Sequence, residues 1–272
     1  MLAKKINMYS ALTLLQKYLH YYTKASNGKG HGVHSPFVYS FIREVLVKSS
    51  TNLKQTLIEE KRNFLLKSNE QVVVLDLGAG SRQNNLPARK VKDIAKSALK
   101  PKKYSDLLYK IVHYFKPKSI VEMGTSLGIT TCYLAAAAKD ASIVTMEGAP
   151  AIASLAKASF TDLGFTNIKV IEGNFDEQLP KYLQSITSVG LVYIDGNHKY
   201  EPTIHYFNML LEKVNVDSIL IFDDIHWSKE MEQAWEEIKQ HPSVRATIDL
   251  FFIGLVFFRV EQKEKEHFII RY

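Results

Sequence analysis

Three aspartates directly follow two apolar runs in the second half of the chain. Asp195 ends the run "VGLVYID", and Asp223 and Asp224 end the run "SILIFDD". If these runs are neighbouring parallel strands, their carboxyl ends share one edge of a sheet and the three carboxylates converge there. Carboxylates so close raise one another's pKa, and a divalent cation with oxygen ligands, such as Mg²⁺, removes the repulsion. A single Asp at a strand end more often caps the next helix, but three at two ends favour a metal site.

Two histidines follow the same strand ends. His198 lies three residues after Asp195. Beside a cation it stays neutral, so it could accept a proton from a hydroxyl, although a structural role on a surface loop fits the sequence equally well. His226 lies two residues after Asp224 and is a candidate ligand, substrate contact or hydrogen-bond partner of a ligand.

A glycine loop, "SIVEMGTSLGIT" (119–130), precedes a helical pattern. Gly124 and Gly128 frame a turn in front of a helix N-terminus, where free N–H groups bind anions. The next strand ends at Glu147, 23 residues after Gly124, near the offset of about 20 expected for an acid that holds a ribose. Asn174 and Phe175 follow the third strand and could flank an adenine. The loop therefore predicts an adenosine-type cofactor.

An earlier stretch, "VVVLDLGAGS" (72–81), also has a strand-like run and two glycines. It is followed by a helix, a proline and a second helix before the next strand, so no strand–turn–helix–strand unit closes within about 30 residues. This favours a tight turn after an extra strand over a second cofactor loop.

The elements that must position these residues alternate along the chain from residue 118. Five strand patterns alternate with helices near 129–138, 150–162, 176–185, 201–213 and 228–240, which predicts a mostly parallel sheet covered by helices. Two β-rich runs around Gly254 predict an antiparallel C-terminal hairpin at the sheet edge. The fold class is therefore α/β, with a Rossmann-like methyltransferase sheet. We expect a mostly helical N-terminal extension at 1–103 and the catalytic domain at 104–272.

Composition limits the other possibilities. The 272 residues carry a net charge of +7, but the basic residues are scattered, which favours an ordinary solvated surface over a nucleic-acid site. Cys132 is the only cysteine, so a reducing, cytoplasmic compartment is expected. The N-terminus lacks the pattern of a signal peptide, and no apolar run reaches the roughly 18 residues of a membrane span.

Four motifs in order, "VEMGTSLGIT", "VTMEG", "IDGNHKYEPT" and "IFDDIHW", carry a family resemblance. The span from about 104 to 260 resembles class I S-adenosylmethionine-dependent methyltransferases. Within them it is most similar to the metal-dependent O-methyltransferases, such as the catechol, caffeoyl-CoA and macrocin enzymes. In some relatives an acid stands at the position of Asn197, and many have Asn where this chain has Asp224, which leaves the metal's identity and necessity open.

The resemblance implies roles for individual residues. Asp195, Asp223 and Asp224 match the metal-ligand positions, and His198 falls where relatives place a general base, with Asp195 beside it. The resemblance assigns the following residues to the cofactor: Glu122, Gly124, Thr125, Ser126, Gly128 and Thr130 around its methionine part, Glu147 and Gly148 at its ribose, Asn174 and Phe175 at its adenine, and Asp195.

The implied reaction is in-line methyl transfer from S-adenosylmethionine to a small-molecule or sugar hydroxyl bound to Mg²⁺ or another divalent cation. An RNA or protein methyltransferase and a non-catalytic cofactor-binding module are the alternatives; the first lacks an N-P-P-Y type motif in this sequence. The family resemblance also implies a homodimer. Because extensions commonly cover the pocket in this fold, we expect Gly78–Arg82 to form part of a cap that helps to select the acceptor.

Overall fold

The computed structural model describes residues 8–26, 28–30, 34–49, 52–74, 88–260 and 264–272. The chain divides into two compact units. The first unit is Met1–Val47 with Ile186–Tyr272, and the second unit is Lys48–Ser185. Within the described ranges, every helix is too short or too polar to cross a membrane. The predicted boundary between residues 103 and 104 stays a prediction.

The helices and strands follow the alternation that the sequence predicts. The helices are α1 Ala11–Lys24, α2 Pro36–Phe41, α3 Leu53–Lys67, α4 Val91–Ala98, α5 Lys102–Phe115, α6 Ile129–Ala137, α7 Pro150–Asp162, α8 Phe175–Gln184, α9 Tyr200–Leu211 and α10 Lys229–Gln240; a π-helical segment, Ile42–Val47, continues α2. The strands are β1 Gln71–Val73, β2 Ala88–Lys90, β3 Ser119–Met123, β4 Ser142–Glu147, β5 Ile168–Glu172, β6 Leu191–Ile194, β7 Ile219–Asp223, β8 Ala246–Asp249, β9 Ile253–Phe257 and β10 Glu266–Ile269.

Strands β3 to β10 are mostly parallel, as predicted. In the second unit, β3, β4 and β5 pair in parallel, and the short β1 and β2 pair antiparallel. In the first unit the order is β6–β7–β9–β8–β10, in which β9 is antiparallel to both neighbours and the other pairings are parallel. The predicted α/β class with a C-terminal antiparallel hairpin is confirmed.

Two details of the hairpin differ from the prediction. Its turn lies at residues 250–252, where Phe251 has a φ of 71°, and Gly254 lies inside β9. A Cβ atom on Gly254 would lie 2.7 Å from the Trp235 ring, so glycine is needed there for packing rather than for turning. The hairpin is also not at the edge of its sheet, because β10 adds a further parallel strand next to β8.

Three leucines recur at helical spacing within α1, and their side chains face solvent. Leu12, Leu15 and Leu19 are 65%, 54% and 55% exposed. A different side of the helix packs, with Tyr21 and its neighbours against Phe251. The spacing of leucines identified the helix correctly, but spacing alone does not tell which face of a helix meets the core.

In the second unit, helix α3 is fixed to α5 and α6 by a polar cluster. Glu59 accepts hydrogen bonds from the Tyr133 hydroxyl and from Arg62 Nε, both at 2.8 Å. Arg62 Nη2 also donates to the buried Ser105 hydroxyl on α5 at 3.1 Å. Because α6 begins at the glycine loop, this cluster helps to hold the loop in place. The stretch Gly78–Arg82, predicted to form part of a cap, lies outside the described residues.

Candidate active site

The glycine loop between β3 and α6 is a tight turn held by its own backbone. The amides of Gly124 and Thr125 both donate to the carbonyl of Met146 on β4, at 3.0 and 3.1 Å. Gly124, Ser126 and Gly128 have φ values of 113°, 48° and 78°. Left-handed backbone at two glycines and one serine turns the chain from strand to helix.

Gly128 has a packing reason as well as a conformational one. A Cβ atom there would lie 2.5 Å from the ring of Phe160. Gly128 is the N-cap of α6, so the amides of the first helical turn lack carbonyl partners within the helix. Thr130, predicted to help hold the cofactor's carboxylate, lies in this first turn and is partly exposed. The turn therefore has the form of an anion site, and the role of Thr130 stays a prediction.

Glu147 is held in a fixed orientation at the end of β4. Its Oε2 accepts from the Ser126 amide at 2.8 Å, and its Oε1 accepts from the Ala149 amide at 3.0 Å. These bonds span the buried Gly148 and join the glycine loop to the end of the next strand. The side chain stays partly exposed, so its carboxylate is accessible to further hydrogen-bond donors. Hydrogen bonds from ribose hydroxyls stay a prediction.

Glu122 is inside the protein rather than on the loop surface. It is fully buried, and its Oε2 accepts from the hydroxyls of Thr131 and Thr145, the latter at 2.7 Å. Thr145 also shares a hydrogen bond of 2.6 Å with Thr125. Sequence analysis missed both Thr131 and Thr145. The only available signal was that a carboxylate in a buried strand needs hydrogen-bond partners.

The residues predicted to flank the adenine lie near Glu147 along the backbone ladder. The Gly173 amide donates to the Glu147 carbonyl at 2.9 Å. The next residue, Asn174, caps α8 through its Oδ1, which accepts from the Asp176 amide at 3.0 Å. Phe175 is the first residue of α8 and is half-buried. The structure thus brings both residues to the strand end that carries Glu147, and their contact with an adenine stays a prediction.

In the first unit, three of the predicted residues form one group. Asp195, His198 and Asp223 each offer a ligand atom, and these atoms lie within 4.8 Å of one another. Asp195 accepts from the Tyr193 hydroxyl at 3.0 Å through Oδ2, and its Oδ1 lies 3.4 Å from His198 Nε2. Asp223 is 1% exposed, whereas Asp195 and His198 are partly exposed. We call these three residues the acidic group.

The acidic group fits a divalent cation. Atoms that share one such ion lie about 2–2.5 Å from it, and so at most about 4–5 Å from one another. Asp224, the third predicted ligand, is not in the group. Its backbone is left-handed, with a φ of 54°, and its carbonyl accepts from the Trp227 amide at 2.9 Å. The structure therefore brings together two of the three predicted ligands, with the predicted base beside them.

His226 is held by two carboxylates that sequence analysis did not connect to it. Its Nε2 lies 2.7 Å from Asp249 Oδ2, and its Nδ1 lies 3.2 Å from Glu232 Oε1. Glu232 also accepts from the Tyr9 hydroxyl at 2.7 Å and from Lys17 Nζ at 2.9 Å. We call these five residues the His226 network. They come from residues 9–17 and 226–249, two segments that are far apart in sequence, so no single local pattern points to them.

The His226 network shifts the ionisation of its members. Burial disfavours the charged ring, but the hydrogen bonds and charges of Asp249 and Glu232 outweigh burial and raise the pKa of His226 to about 9. Burial likewise opposes the charged form of Glu232, and the bonds from His226, Tyr9 and Lys17 outweigh it, so its pKa falls to about 2. At neutral pH His226 is therefore protonated and Glu232 is ionised.

Comparison with known proteins finds matches to the part of the chain that holds this geometry. Residues 121–225 match the family model described as "Methyltransferase domain". An uncharacterised protein of Acanthamoeba polyphaga mimivirus is 30% identical over 69 residues, which is 24% of this chain and 31% of that protein. The chain thus covers about a third of that relative's length.

Several solved structures share the fold. The methyltransferase PaMTH1 of Podospora anserina, bound to S-adenosylhomocysteine, has a TM-score of 0.58 and 11% identity, covering 92% of this chain and 97% of its own. The Bacillus cereus O-methyltransferase, with S-adenosylhomocysteine, has a TM-score of 0.52, 15% identity and coverage of 81% and 97%. The O-methyltransferase TomG of Streptomyces achromogenes, with S-adenosylmethionine, has a TM-score of 0.53, 15% identity and coverage of 82% and 95%.

These matches confirm the class expected from the sequence. The family model spans the glycine loop, the end of β4 and both strand ends of the acidic group. The solved structures confirm the class I methyltransferase fold over most of the chain. Residues 121–225 thus match a methyltransferase domain, and the solved structures that share the chain's fold include O-methyltransferases.

Proposed function

We propose that this methyltransferase moves the methyl group of S-adenosylmethionine to a hydroxyl of a small molecule or sugar, with the help of a divalent cation. The observation that carries the proposal is the acidic group, Asp195, His198 and Asp223, within a match to a methyltransferase domain. The O-methyltransferases of Bacillus cereus and Streptomyces achromogenes, which share the fold, support the donor and the reaction type. We further propose Mg²⁺ as the cation and the cytoplasm as the compartment.

The second unit supplies the donor site in this proposal. The glycine loop and the first turn of α6 receive the carboxylate and amine of the methionine part. Glu147, fixed by two backbone amides, accepts hydrogen bonds from the ribose hydroxyls. Asn174 and Phe175, next to that strand end, flank the adenine. Glu122 acts from inside, because its threonine partners hold the loop in shape.

The first unit supplies the acid–base chemistry. The two carboxylates, Asp195 and Asp223, hold the cation, which when bound lowers the pKa of the acceptor hydroxyl. His198 accepts the hydroxyl proton on Nδ1, because its Nε2 lies 3.4 Å from Asp195 Oδ1, and that carboxylate orients the ring and stabilises the imidazolium. The acceptor oxygen forms a bond to the methyl carbon while the carbon–sulfur bond breaks. The products are the methyl ether and S-adenosylhomocysteine.

Metal binding is tested without an acceptor by titrating the chain with Mn²⁺ and following the free ion by electron paramagnetic resonance. We expect Asp223→Asn and Asp195→Asn each to weaken binding tenfold or more. Asp217→Asn, at an exposed position of the same unit, is the matched control and leaves binding unchanged. His198→Ala separates two roles, since retained Mn²⁺ binding supports the base and a tenfold loss makes His198 a ligand. Full turnover in excess EDTA would contradict the metal part.

Donor binding is tested by calorimetry with S-adenosylmethionine. We expect Glu147→Gln to weaken affinity about tenfold, since a ribose hydrogen bond to a charged group contributes about 1.5–3 kcal/mol. Glu172→Gln, at the end of the neighbouring strand, is the control and keeps the affinity. Asp223→Asn should also keep the affinity for S-adenosylmethionine, although it loses turnover. No heat with the wild-type chain at high concentration would contradict the methyltransferase proposal as a whole.

One observation favours the RNA or protein alternative. A cavity of about 950 Å³ in the second unit is bordered by four lysines, Lys54, Lys116, Lys118 and Lys139. Such a border suits a polyanion, and binding to RNA would fall steeply with salt. Salt-dependent binding of tRNA that Lys116→Glu and Lys118→Glu abolish would make RNA the preferred acceptor, and its absence leaves the small-molecule proposal in place. The homodimer stays a prediction.

A further inference from the structure

A second cavity opens along the same sheet edge as the acidic group. In the first unit, β7, β8 and β10 run in parallel, so Asp223, Asp249 and Ile269 all lie at carboxyl ends of strands. Asp249 pairs with Gly254, and Gly254 pairs with Phe222, the residue before Asp223. Two strand spacings separate these ends, which is about 10 Å. A cavity of about 470 Å³ is lined by Asp249 and Ile269.

Helix α1 lines this cavity with a polar stripe. Besides the buried Tyr21, the residues that it contributes recur at helical spacing and are hydrophilic: Thr13, Gln16, Lys17, His20 and Lys24. Phe251 and three members of the His226 network, His226, Glu232 and Asp249, also line the cavity. The volume is within the range of small-molecule sites, about 300–1,000 Å³. A solvated helix face needs no cavity beneath it, so the polar stripe and the cavity together indicate a binding site.

The charges of the cavity favour an anion. Its two carboxylates already have partners inside the protein, because Glu232 accepts from Tyr9 and Lys17, and Asp249 lies against His226 and accepts from the Phe251 amide. Three potential donors to an anion, Gln16, His20 and Lys24, lie on α1 and are exposed to solvent. Over the described ranges, no hydrogen bond or ion pair is formed by the side chains of Gln16, His20 or Lys24. Glu232 and Asp249 already have partners, which disfavours a cation, whereas the donor groups of Gln16, His20 and Lys24 can bind an anion.

We propose that this cavity binds an anionic group, a carboxylate or a phosphate, of the methyl acceptor. Lys24 and His20, one turn apart on α1, contact the anion, and Gln16 adds a neutral donor. The anionic group then lies about 10 Å along the sheet edge from the hydroxyl that is methylated. The link to the acceptor rests on the proposed function, whereas anion binding by the cavity does not.

Anion binding is tested on the full chain with two probes, inorganic phosphate and succinate, at constant ionic strength. Ring signals of His20 and His226 are followed by NMR with labelled histidine. We expect a saturable shift with at least one probe, and a tenfold or greater loss of affinity in Lys24→Glu. Lys229→Glu makes the same charge change at an exposed position of the same unit, outside the cavity, and keeps the affinity within twofold. Saturation by phosphate alone or by succinate alone identifies the preferred anion.

Two outcomes would overturn the proposal: shifts that never saturate with either probe, or an equal loss in Lys24→Glu and Lys229→Glu. Calorimetry with S-adenosylmethionine on the same samples separates this failure from that of the proposed function. A chain that binds S-adenosylmethionine but neither anion contradicts the cavity alone. With an anionic acceptor in hand, Lys24→Glu should raise KM at least tenfold and leave kcat within about twofold, and an unchanged KM would contradict the link to the acceptor.

Discussion

The glycine loop of the second unit and the His226 network of the first unit are both polar sites at strand ends, but they are built in different ways. The loop is made from backbone amides over five residues, Gly124 to Gly128, with one carboxylate from the next strand. The network joins side chains from residues 9, 17, 226, 232 and 249. The first is local in the chain and the second is not.

This difference decides what each site tolerates. At Gly128 the loop depends on the absence of a side chain, because the left-handed backbone and the nearby Phe160 ring leave no room for a Cβ atom. The network depends on complementary charges, because its carboxylates accept from Tyr9 and Lys17 and lie against the protonated His226. The loop should therefore be sensitive to bulk at any pH, and the network should be sensitive to pH.

The largest expected effect is that of Gly128→Val. A Cβ atom there would lie 2.5 Å from the Phe160 ring, and the valine backbone would have to adopt a φ of 78°. Overpacking and left-handed backbone together cost about 3–5 kcal/mol. Urea unfolding should show this loss, and calorimetry should show lost S-adenosylmethionine binding.

Gly164→Ala is the control for that prediction. Gly164 also has a positive φ, 67°, but a Cβ atom there would meet no other atom within 4 Å. Backbone strain alone should cost about 1–2 kcal/mol and leave cofactor binding intact. If the two variants lose equal stability, the contact with Phe160 is not what requires glycine in the loop.

The second prediction concerns His226→Gln, which removes the charge of the network. The folded pKa of His226, about 9, is above its ordinary value of 6.5. The protonated ring therefore stabilises the folded state fully below about pH 6.5, and this stabilisation is lost as pH rises through about 9. We expect the variant to be about 2–3 kcal/mol less stable at pH 6, with the difference shrinking towards pH 10. Urea unfolding at several pH values measures this difference.

His241→Gln provides the contrast for this pH profile. Burial and the charge of Lys265 lower the pKa of His241. Protonation of His241 therefore destabilises the folded protein as pH falls, which is the opposite of the effect of His226. A difference between wild type and His226→Gln that stays constant from pH 6 to pH 10 would show that the ring acts in the network by packing rather than by charge.

The smallest expected effect is that of Tyr9→Phe. This change removes one hydrogen bond to Glu232 and leaves those from Lys17 in place. The free energy of unfolding should fall by about 0.5–1.5 kcal/mol, as for a typical single hydrogen bond. Binding of S-adenosylmethionine should be unchanged. A loss as large as that of His226→Gln would mean that the network acts as one unit rather than as separate pairs.

The sequence by itself determined the elements and the local sites. The alternation of β-branched runs with helices predicted β3 to β9 and α6 to α10, and the glycine spacing located the loop, because each signal lies within about 20 consecutive residues. The convergence of Asp195, His198 and Asp223 was also predictable, since parallel strand ends share an edge. The cofactor contacts and the boundary at 103/104 stay predictions.

Only the tertiary structure decided which surfaces meet. In the folded chain the leucines of α1 face solvent, and its polar stripe lines a cavity. Gly254 packs against Trp235, and His226 lies against Glu232 and Asp249. The tertiary structure also separated Asp224 from the acidic group. The physical reason is that amphipathic spacing fixes an element but not its rotation or its partners. Those depend on packing and charge pairing between residues that are distant in the chain.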